Sequence, residues 1–221
     1  MEKLIEKLKE FETKAISVST EPELQSLFEK LAPAFLYGGY IKVRDDYKVY
    51  LKTVEFYFHS EKSNGIHDPI VYHRNGRDLE EASYFPLMSI HAHSSGFDIT
   101  FESETGKYRA SALIRSYEVI DTRYKKNGEK FLKWDSELVM FKKSDNYCFN
   151  TQSTYLKAVL NGFAFGNEND IRWIDSPRTQ LQGITEKTRQ NVFQYKNEKG
   201  EYIKTDRRCE RKWSFTREER V

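Results

Sequence analysis

Residues Thr53 to Ser60 read TVEFYFHS, and this stretch decides which kind of fold the chain can form. Apolar and polar side chains alternate strictly along it: Val54, Phe56 and Phe58 against Glu55, Tyr57 and His59. A β-strand turns successive side chains to opposite faces, so the pattern predicts a strand with one wholly apolar face. The other face carries an acid, a phenol and an imidazole in one row, either as an ordinary solvent face or as the wall of a site.

The surrounding sequence predicts an antiparallel sheet. Short β-branched or aromatic segments are separated by charged or glycine-containing turns: YIKV, YKVYLKTVEFYF, MSIHAH, FDITFES and YRASALIRSYEVI. Before them, residues 1–18 predict an amphipathic helix. A second helix is predicted from its Thr20–Glu23 capping box to Pro33. We therefore expect one α+β domain over residues 1–221, with a curved antiparallel β-sheet flanked by α-helices.

The second half of the chain gives weaker patterns. Residues 131–143 fit a strand or a short helix, and Ser153 or Thr154 can cap a helix that ends near Gly162. We expect a basic tail over about 205–221, the part of the chain that is typically least ordered.

Composition sets the class of protein. The 221 residues are 38% hydrophobic and 32% charged, contain no run of about 18 apolar residues, and begin without the apolar centre of a signal peptide. The two cysteines form no disulfide framework. We therefore expect a cytoplasmic protein. We also expect it to act as a monomer.

Charge is unevenly distributed along the chain. Residues 178–221 hold 12 Lys and Arg against 7 Asp and Glu, whereas the formal net charge of the whole chain is +2. This basic end predicts a nucleic-acid-binding surface that includes Arg178, Lys187 and Arg189, or else only a solvated tail.

All five histidines lie between positions 59 and 93. His59, His91 and His93 form the candidate set for a metal-dependent hydrolase. However, no cysteine ligand lies nearby and no HExxH motif occurs, so we expect neither a metal nor another cofactor.

Four residues predict a site for acid–base chemistry. Glu55 on a rigid strand is a candidate general base for water, and Tyr57 points into the same space. His67 is a candidate second wall, and Arg115 on a later strand is the candidate partner that keeps Glu55 charged in a half-dry cleft. The plain alternative is a solvent face with a surface ion pair.

The order of these segments resembles the methylpurine-DNA (alkyladenine) glycosylase family over about residues 24–215. The segments that carry the resemblance are LAPAFLYGGYIKV, VEFY, HDP with His73-Arg74, ALIRSYEVI, STYLKAVLNG and SPRTQLQGITEKTRQN. Two family features differ here: Ser94 and Ser95 stand where an aromatic wedge is expected, and DITFES lacks an asparagine that screens purine substituents.

The resemblance implies a monofunctional DNA glycosylase that hydrolyses the N-glycosidic bond of a flipped, damaged purine in double-stranded DNA. Glu55 would activate the water, Arg115 would help to hold it, and Tyr57 and His67 would enclose the base, with His91 and His93 as further substrate contacts. The alternatives are a catalytically inactive nucleic-acid- or nucleobase-binding protein of the same fold, and the histidine-cluster hydrolase.

Overall fold

A computed structural model describes residues 3–43, 47–71, 83–93, 96–121, 125–126, 129–130, 171–177, 183–189, 195–196, 202–203 and 210–218. The predicted segments 131–143 and Ser153–Gly162, the pair His73-Arg74 and the hairpin tip Ser94-Ser95 lie outside these residues. No helix among the described residues is long and apolar enough to cross a membrane.

Two helices form the N-terminal part of the fold. Helix α1 spans Leu4–Ala15, and helix α2 spans Glu21–Tyr37. The predicted capping box of α2 is confirmed, because the Thr20 side chain accepts a hydrogen bond from the Glu23 backbone N–H and the Glu23 carboxylate accepts one from the Thr20 backbone N–H.

The predicted end of α2 at Pro33 is wrong. The helix continues through Pro33 to Tyr37, and Gly38 donates its backbone N–H to the carbonyl of Ala34. Proline lacks one N–H donor, but the four residues after it are all buried, with Phe35 fully so. Their burial against the sheet stabilises the last turn more than the missing hydrogen bond destabilises it.

In the part of the chain that the structure describes, twelve strands follow the helices. They are β1 Gly39–Val43, β2 Tyr47–Ser60, β3 Ile90–His93, β4 Gly96–Thr100, β5 Tyr108–Asp121, β6 Lys125–Lys126, β7 Glu129–Lys130, β8 Ile171–Asp175, β9 Ile184–Lys187, β10 Tyr195–Lys196, β11 Tyr202–Ile203 and β12 Ser214–Arg217. Eight of them form one sheet in the order β3-β4-β5-β2-β1-β8, with β12 and β9 attached to β2; β6-β7 and β10-β11 form two small hairpins. The described pairs are antiparallel, and the predicted α+β class with a curved antiparallel sheet is confirmed.

Strand β2 is the centre of the sheet. Strand β5 pairs with it along its whole length, whereas its other edge is shared by β1 at Tyr47–Val49 and by β12 at Thr53–Glu55. The sheet therefore divides into two branches on that side of β2.

The apolar face of the sheet packs against both helices. Phe28 of α2 stacks on Phe56 of β2, with ring centroids 4.6 Å apart and an interplanar angle of 8°. Phe11 of α1 lies against the same Phe28 ring at 5.6 Å. The predicted apolar row of TVEFYFHS is therefore the floor of the core, and its three members are buried.

The predicted basic tail is wrong for the residues that the structure describes. Strand β12 is hydrogen-bonded to β2 on one side and to β9 on the other. Trp213 and Phe215 are buried at 1% and 2% exposure, and the Phe56 backbone N–H donates to the Trp213 carbonyl. Two large apolar side chains at alternate positions favour a core strand, and they outweigh the charges around them.

Candidate functional site: a buried cluster around Glu55

Glu55 lies in the middle of the sheet, opposite Leu113 of β5 and Ser214 of β12. Its side chain is fully buried. The predicted half-dry cleft is therefore wrong at this position: other parts of the protein bury Glu55 and Tyr57, while His59 on the same face is half-buried.

The predicted contact between Glu55 and Arg115 is confirmed, and the Tyr57 hydroxyl takes part in it. One carboxylate oxygen, Oε2, accepts a hydrogen bond from the Tyr57 hydroxyl at 2.9 Å and from Arg115 Nε at 2.7 Å. Arg115 Nη2 lies 2.6 Å from the same oxygen and 3.3 Å from the Tyr57 hydroxyl. We call these three residues the Glu55 cluster; all three are buried.

A double bulge aims Arg115 at Glu55. Between the paired positions Val54–Ile114 and Thr53–Ser116, strand β5 carries one extra residue, Arg115. Strand β2 carries its own extra residue, Lys52, one step further along. Bulges re-aim side chains and increase local twist, and they are frequent beside active sites.

The sequence contains a signal for this bulge that the strand prediction did not use. The aliphatic and phenylalanine side chains that β2 turns toward the core change from odd to even numbers: Val49 and Leu51, then Val54, Phe56 and Phe58. A strand of period two can change parity only through an extra residue. The change falls between Leu51 and Val54, where the structure has the bulge.

Burial keeps the Tyr57 phenol neutral. The pKa of Tyr57 is raised well above its usual value by burial first and by the neighbouring Glu55 carboxylate second, although Arg115 and Arg189 act in the opposite direction. Burial alone would lower the pKa of Arg115, but Tyr57 and Glu55 outweigh it and raise that pKa. Tyr57 is therefore a hydrogen-bond donor to a carboxylate that also holds a permanent cation.

A second ion pair covers Tyr57. Arg189 Nη1 lies 2.6 Å from Asp68 Oδ2, Nη2 lies 3.3 Å from Oδ1, and both side chains are fully buried. The Arg189 guanidinium lies 4.6 Å from the centre of the Tyr57 ring, and Nη1 also donates to the Phe56 carbonyl. Arg189 thus binds a carbonyl of β2 that lies just beyond the residues Thr53–Glu55 paired with β12.

The placement of Arg189 corrects its predicted role. It was predicted to contact nucleic acid, but it is 1% exposed and bound to Asp68. Lys187 is exposed on β9, and Arg178 lies outside the described residues. No pattern in the sequence points to Asp68 as the partner: the resemblance of HDP rests on its histidine, whereas the aspartate beside it makes the buried contact.

The histidines do not join the Glu55 cluster in the described residues. His67 donates a hydrogen bond from Nε2 to the Lys62 carbonyl at 2.8 Å. Its ring lies 5.1 Å from that of His59, whose Nδ1 contacts the Asp68 backbone. The predicted position of His67 as a wall facing Tyr57 is therefore replaced by a contact with His59. His91 and His93 lie on β3 opposite Asp98 and Gly96, but their side chains are outside the description.

A third cluster lies further along the same face. Arg109, opposite His59, binds Glu61 at 2.9 Å through Nε and Glu102 at 2.9 Å through Nη1. Its guanidinium lies 3.8 Å from the centre of the Tyr84 ring, and the Tyr84 hydroxyl donates to Glu61. We call these four residues the Arg109 cluster.

No group of three or more histidine, cysteine, aspartate or glutamate side chains with metal-binding geometry occurs within the described ranges. Comparison with known proteins finds no matching family model, no matching curated protein and no matching solved structure.

Proposed function

We propose that the protein is a hydrolase that releases a damaged purine from DNA by cleaving its N-glycosidic bond, with Glu55 as the general base. The single observation that supports this is the contact of Glu55, Tyr57 and Arg115 within one cluster on the polar face of β2. The resemblance of the sequence to the methylpurine-DNA glycosylases assigns the same three residues to one site.

The proposed reaction needs few groups. Water attacks the anomeric carbon and forms a new C–O bond, the C–N bond breaks, and its electron pair leaves with the base. Glu55 takes the proton that the water loses. Arg115 positions the carboxylate, and the Tyr57 ring offers a stacking surface, which for one base provides about 1–3 kcal/mol.

Burial adds a requirement to this proposal. Glu55 is fully buried, and the Arg189 guanidinium occupies one face of the Tyr57 ring. A base reaches the cluster only after a covering side chain moves away from Tyr57. The Asp68–Arg189 pair is the gate in this proposal, because the Arg189 guanidinium lies 4.6 Å from the centre of the Tyr57 ring and is bound there by Asp68.

A rate comparison of two isosteric variants tests the proposal. Glu55→Gln removes the base, and Glu102→Gln is the matched control, because Glu102 is also a buried acid bound to a buried arginine. Release of free base from alkylated or deaminated DNA is measured in single turnover, at a temperature where both variants are folded. We expect Glu55→Gln to lose about 10²–10⁴-fold in rate and Glu102→Gln to retain activity. Equal rates for wild type and Glu55→Gln would contradict the assignment.

A second function is favoured by the closure of the site. The Glu55 cluster and the Asp68–Arg189 pair contain two acids and two arginines, so their charges balance without a ligand. Such an interior suits a nucleic-acid-binding protein of this fold that does not hydrolyse its ligand. It predicts that wild type binds oligonucleotides but releases no base across a panel of lesions.

A further inference from the structure

A groove lies in the seam between helices α1 and α2. Its lining residues recur at spacings of three, four and seven along the helices, so they come from one face of each helix. They are Phe11 and Lys14 of α1 and Leu27, Lys30 and Leu31 of α2, together with the Lys7–Glu10 ion pair. The volume of the groove, about 360 Å³, lies within the range of about 300–1,000 Å³ that is typical of small-molecule sites.

The floor of the groove is apolar. Phe11 and Leu31 are buried beneath it and belong to the hydrophobic core. Leu27 packs against that core but is only half-buried. Helices that pack closely interdigitate their side chains, so an open seam leaves dispersion contacts of Leu27 unmade. An apolar group in the groove would make those contacts and remove apolar surface from water.

The rim of the groove is cationic. Three lysines line the groove against one acid, Glu10, so the lining carries a net charge of +2. Glu10 binds Lys7, with its Oε2 atom 3.0 Å from Lys7 Nζ. Lys14 and Lys30 are exposed, and neither forms an ion pair with another described residue. Each helix therefore contributes one unpaired ammonium group to the same groove.

Helix stability does not explain both of these lysines. Lys14 lies in the last turn of α1, where a cation interacts favourably with the helix dipole. Lys30 lies in the middle of α2, where that interaction is absent. Two like charges at one groove repel each other, and a bound anion offsets the repulsion. The rim is therefore complementary to an anionic head group, and the floor is complementary to an apolar tail.

We infer that the groove binds a small amphiphile with one anionic head and one apolar tail, as in a medium-chain carboxylate. The head binds Lys14 and Lys30, and the tail lies against Leu27 and the aliphatic stems of the two lysines. This inference goes beyond the proposed function and does not depend on it. The helices cover the apolar face of β2, whereas the Glu55 carboxylate lies on the opposite face.

Calorimetric titration of the full chain tests the tail. The probes are hexanoate, octanoate and decanoate, each below its micelle concentration, so that the monomer is the species that binds. A fully buried methylene tightens binding by about fourfold, and a groove encloses only part of the chain. We therefore expect the affinity to rise by about twofold or more with each added methylene. Equal affinities for hexanoate and decanoate would overturn the inference.

The charge of the head is tested with a cationic probe and two double variants. Decyltrimethylammonium has the same tail and should bind about tenfold more weakly than decanoate, or less tightly still. Lys14→Ala/Lys30→Ala should weaken decanoate binding by about three- to tenfold, the size expected for two exposed ion pairs. Lys9→Ala/Lys212→Ala removes the same charge from exposed positions outside the groove and should leave the affinity unchanged. Equal losses in the two variants, or equal affinities of the two probes, would contradict the assignment.

A substitution in the floor tests where the tail lies. Leu27→Gln keeps good helix propensity and places a polar group against the tail. We expect weaker decanoate binding and a shallower dependence on chain length. Leu87→Gln changes an exposed leucine outside the groove and should behave as wild type. Thermal unfolding checks that both variants are folded at the titration temperature, and identical titrations of the two would refute this placement of the tail.

Vesicles distinguish a free amphiphile from a membrane surface. Dioleoylphosphatidylglycerol vesicles also combine anionic heads with apolar tails, but hold the tails within a bilayer. We expect the protein to bind monomeric decanoate and to stay in solution when the vesicles are sedimented. Sedimentation with the vesicles in the absence of decanoate binding would overturn the inference.

Discussion

The Glu55 cluster and the Arg109 cluster share one face of β2 and β5 and use the same residue types, but they connect different parts of the chain. Glu55, Tyr57 and Arg115 all come from two strands that are already joined by a hydrogen-bond ladder. Arg109 instead binds Glu61 after β2, Glu102 after β4 and the Ser83 carbonyl, and so ties loops to the sheet.

This difference separates two reasons for burying charge. A cluster that binds residues of several loops contributes to folding stability, because it holds those loops against the sheet. A cluster within one strand pair gains little for the fold, since apolar side chains in the same place are often as stabilising as a buried ion pair. The polar character of the Glu55 cluster therefore needs another explanation, and the function that we propose for Glu55 would supply one.

The largest expected effect comes from removing each arginine. Arg109→Met leaves two carboxylates, Glu61 and Glu102, without their cation, whereas Arg115→Met leaves only Glu55. Breaking a buried pair from one side costs about 3–5 kcal/mol of unfolding free energy, so we expect Arg115→Met in that range and Arg109→Met at or above its upper end. Urea unfolding measures both; a greater loss for Arg115→Met would refute the comparison.

Neutralising the remaining acid should distinguish the clusters further. In Glu55→Gln/Arg115→Met no unpaired charge remains, and the Gln carbonyl still accepts from Tyr57. We expect this double variant to regain about 2 kcal/mol or more of unfolding free energy relative to Arg115→Met. In Glu102→Gln/Arg109→Met the charge of Glu61 remains, so recovery should be smaller. Equal recovery in the two double variants would show that the clusters are energetically equivalent.

The tyrosines give a smaller effect. Tyr57→Phe removes a buried donor to a carboxylate and should cost about 1.5–3 kcal/mol in unfolding free energy. Tyr84 is half-buried and its partner Glu61 reaches water, so Tyr84→Phe should cost about 0.5–1.5 kcal/mol. Denaturant midpoints with unchanged slopes measure the difference, and a larger cost at Tyr84 would reverse the expected order.

Much of this arrangement follows from the sequence, for identifiable reasons. Strict alternation in TVEFYFHS predicts both faces of β2, and the similar alternation of ALIR places Arg115 on a strand that can reach Glu55. Alternation cannot show what covers a face, so the burial of Glu55 and the role of Asp68 and Arg189 were not predictable from it. Trp213 and Phe215 lie in a segment rich in charged residues, where net charge predicts a solvated tail although the alternate spacing of the two apolar side chains favours a strand.

The smallest expected effect is a pH dependence within the Arg109 cluster. Burial acts to raise the pKa of Glu61, but hydrogen bonds from Tyr84 and Arg109 outweigh it and lower that pKa below the usual 4.5. As the pH falls, the unfolded chain therefore takes up the Glu61 proton before the folded protein does. The contribution of Glu61 to stability is complete above about pH 4.5 and is lost as the pH falls through the folded pKa.

Tyr84→Phe removes one cause of the lowered Glu61 pKa. The difference in unfolding free energy between Tyr84→Phe and wild type should therefore be constant between about pH 5 and 7 and should narrow below about pH 4. Urea unfolding of both proteins across this range measures the difference, and a gap that stays constant down to about pH 3 would show that Tyr84 does not act through the Glu61 carboxylate.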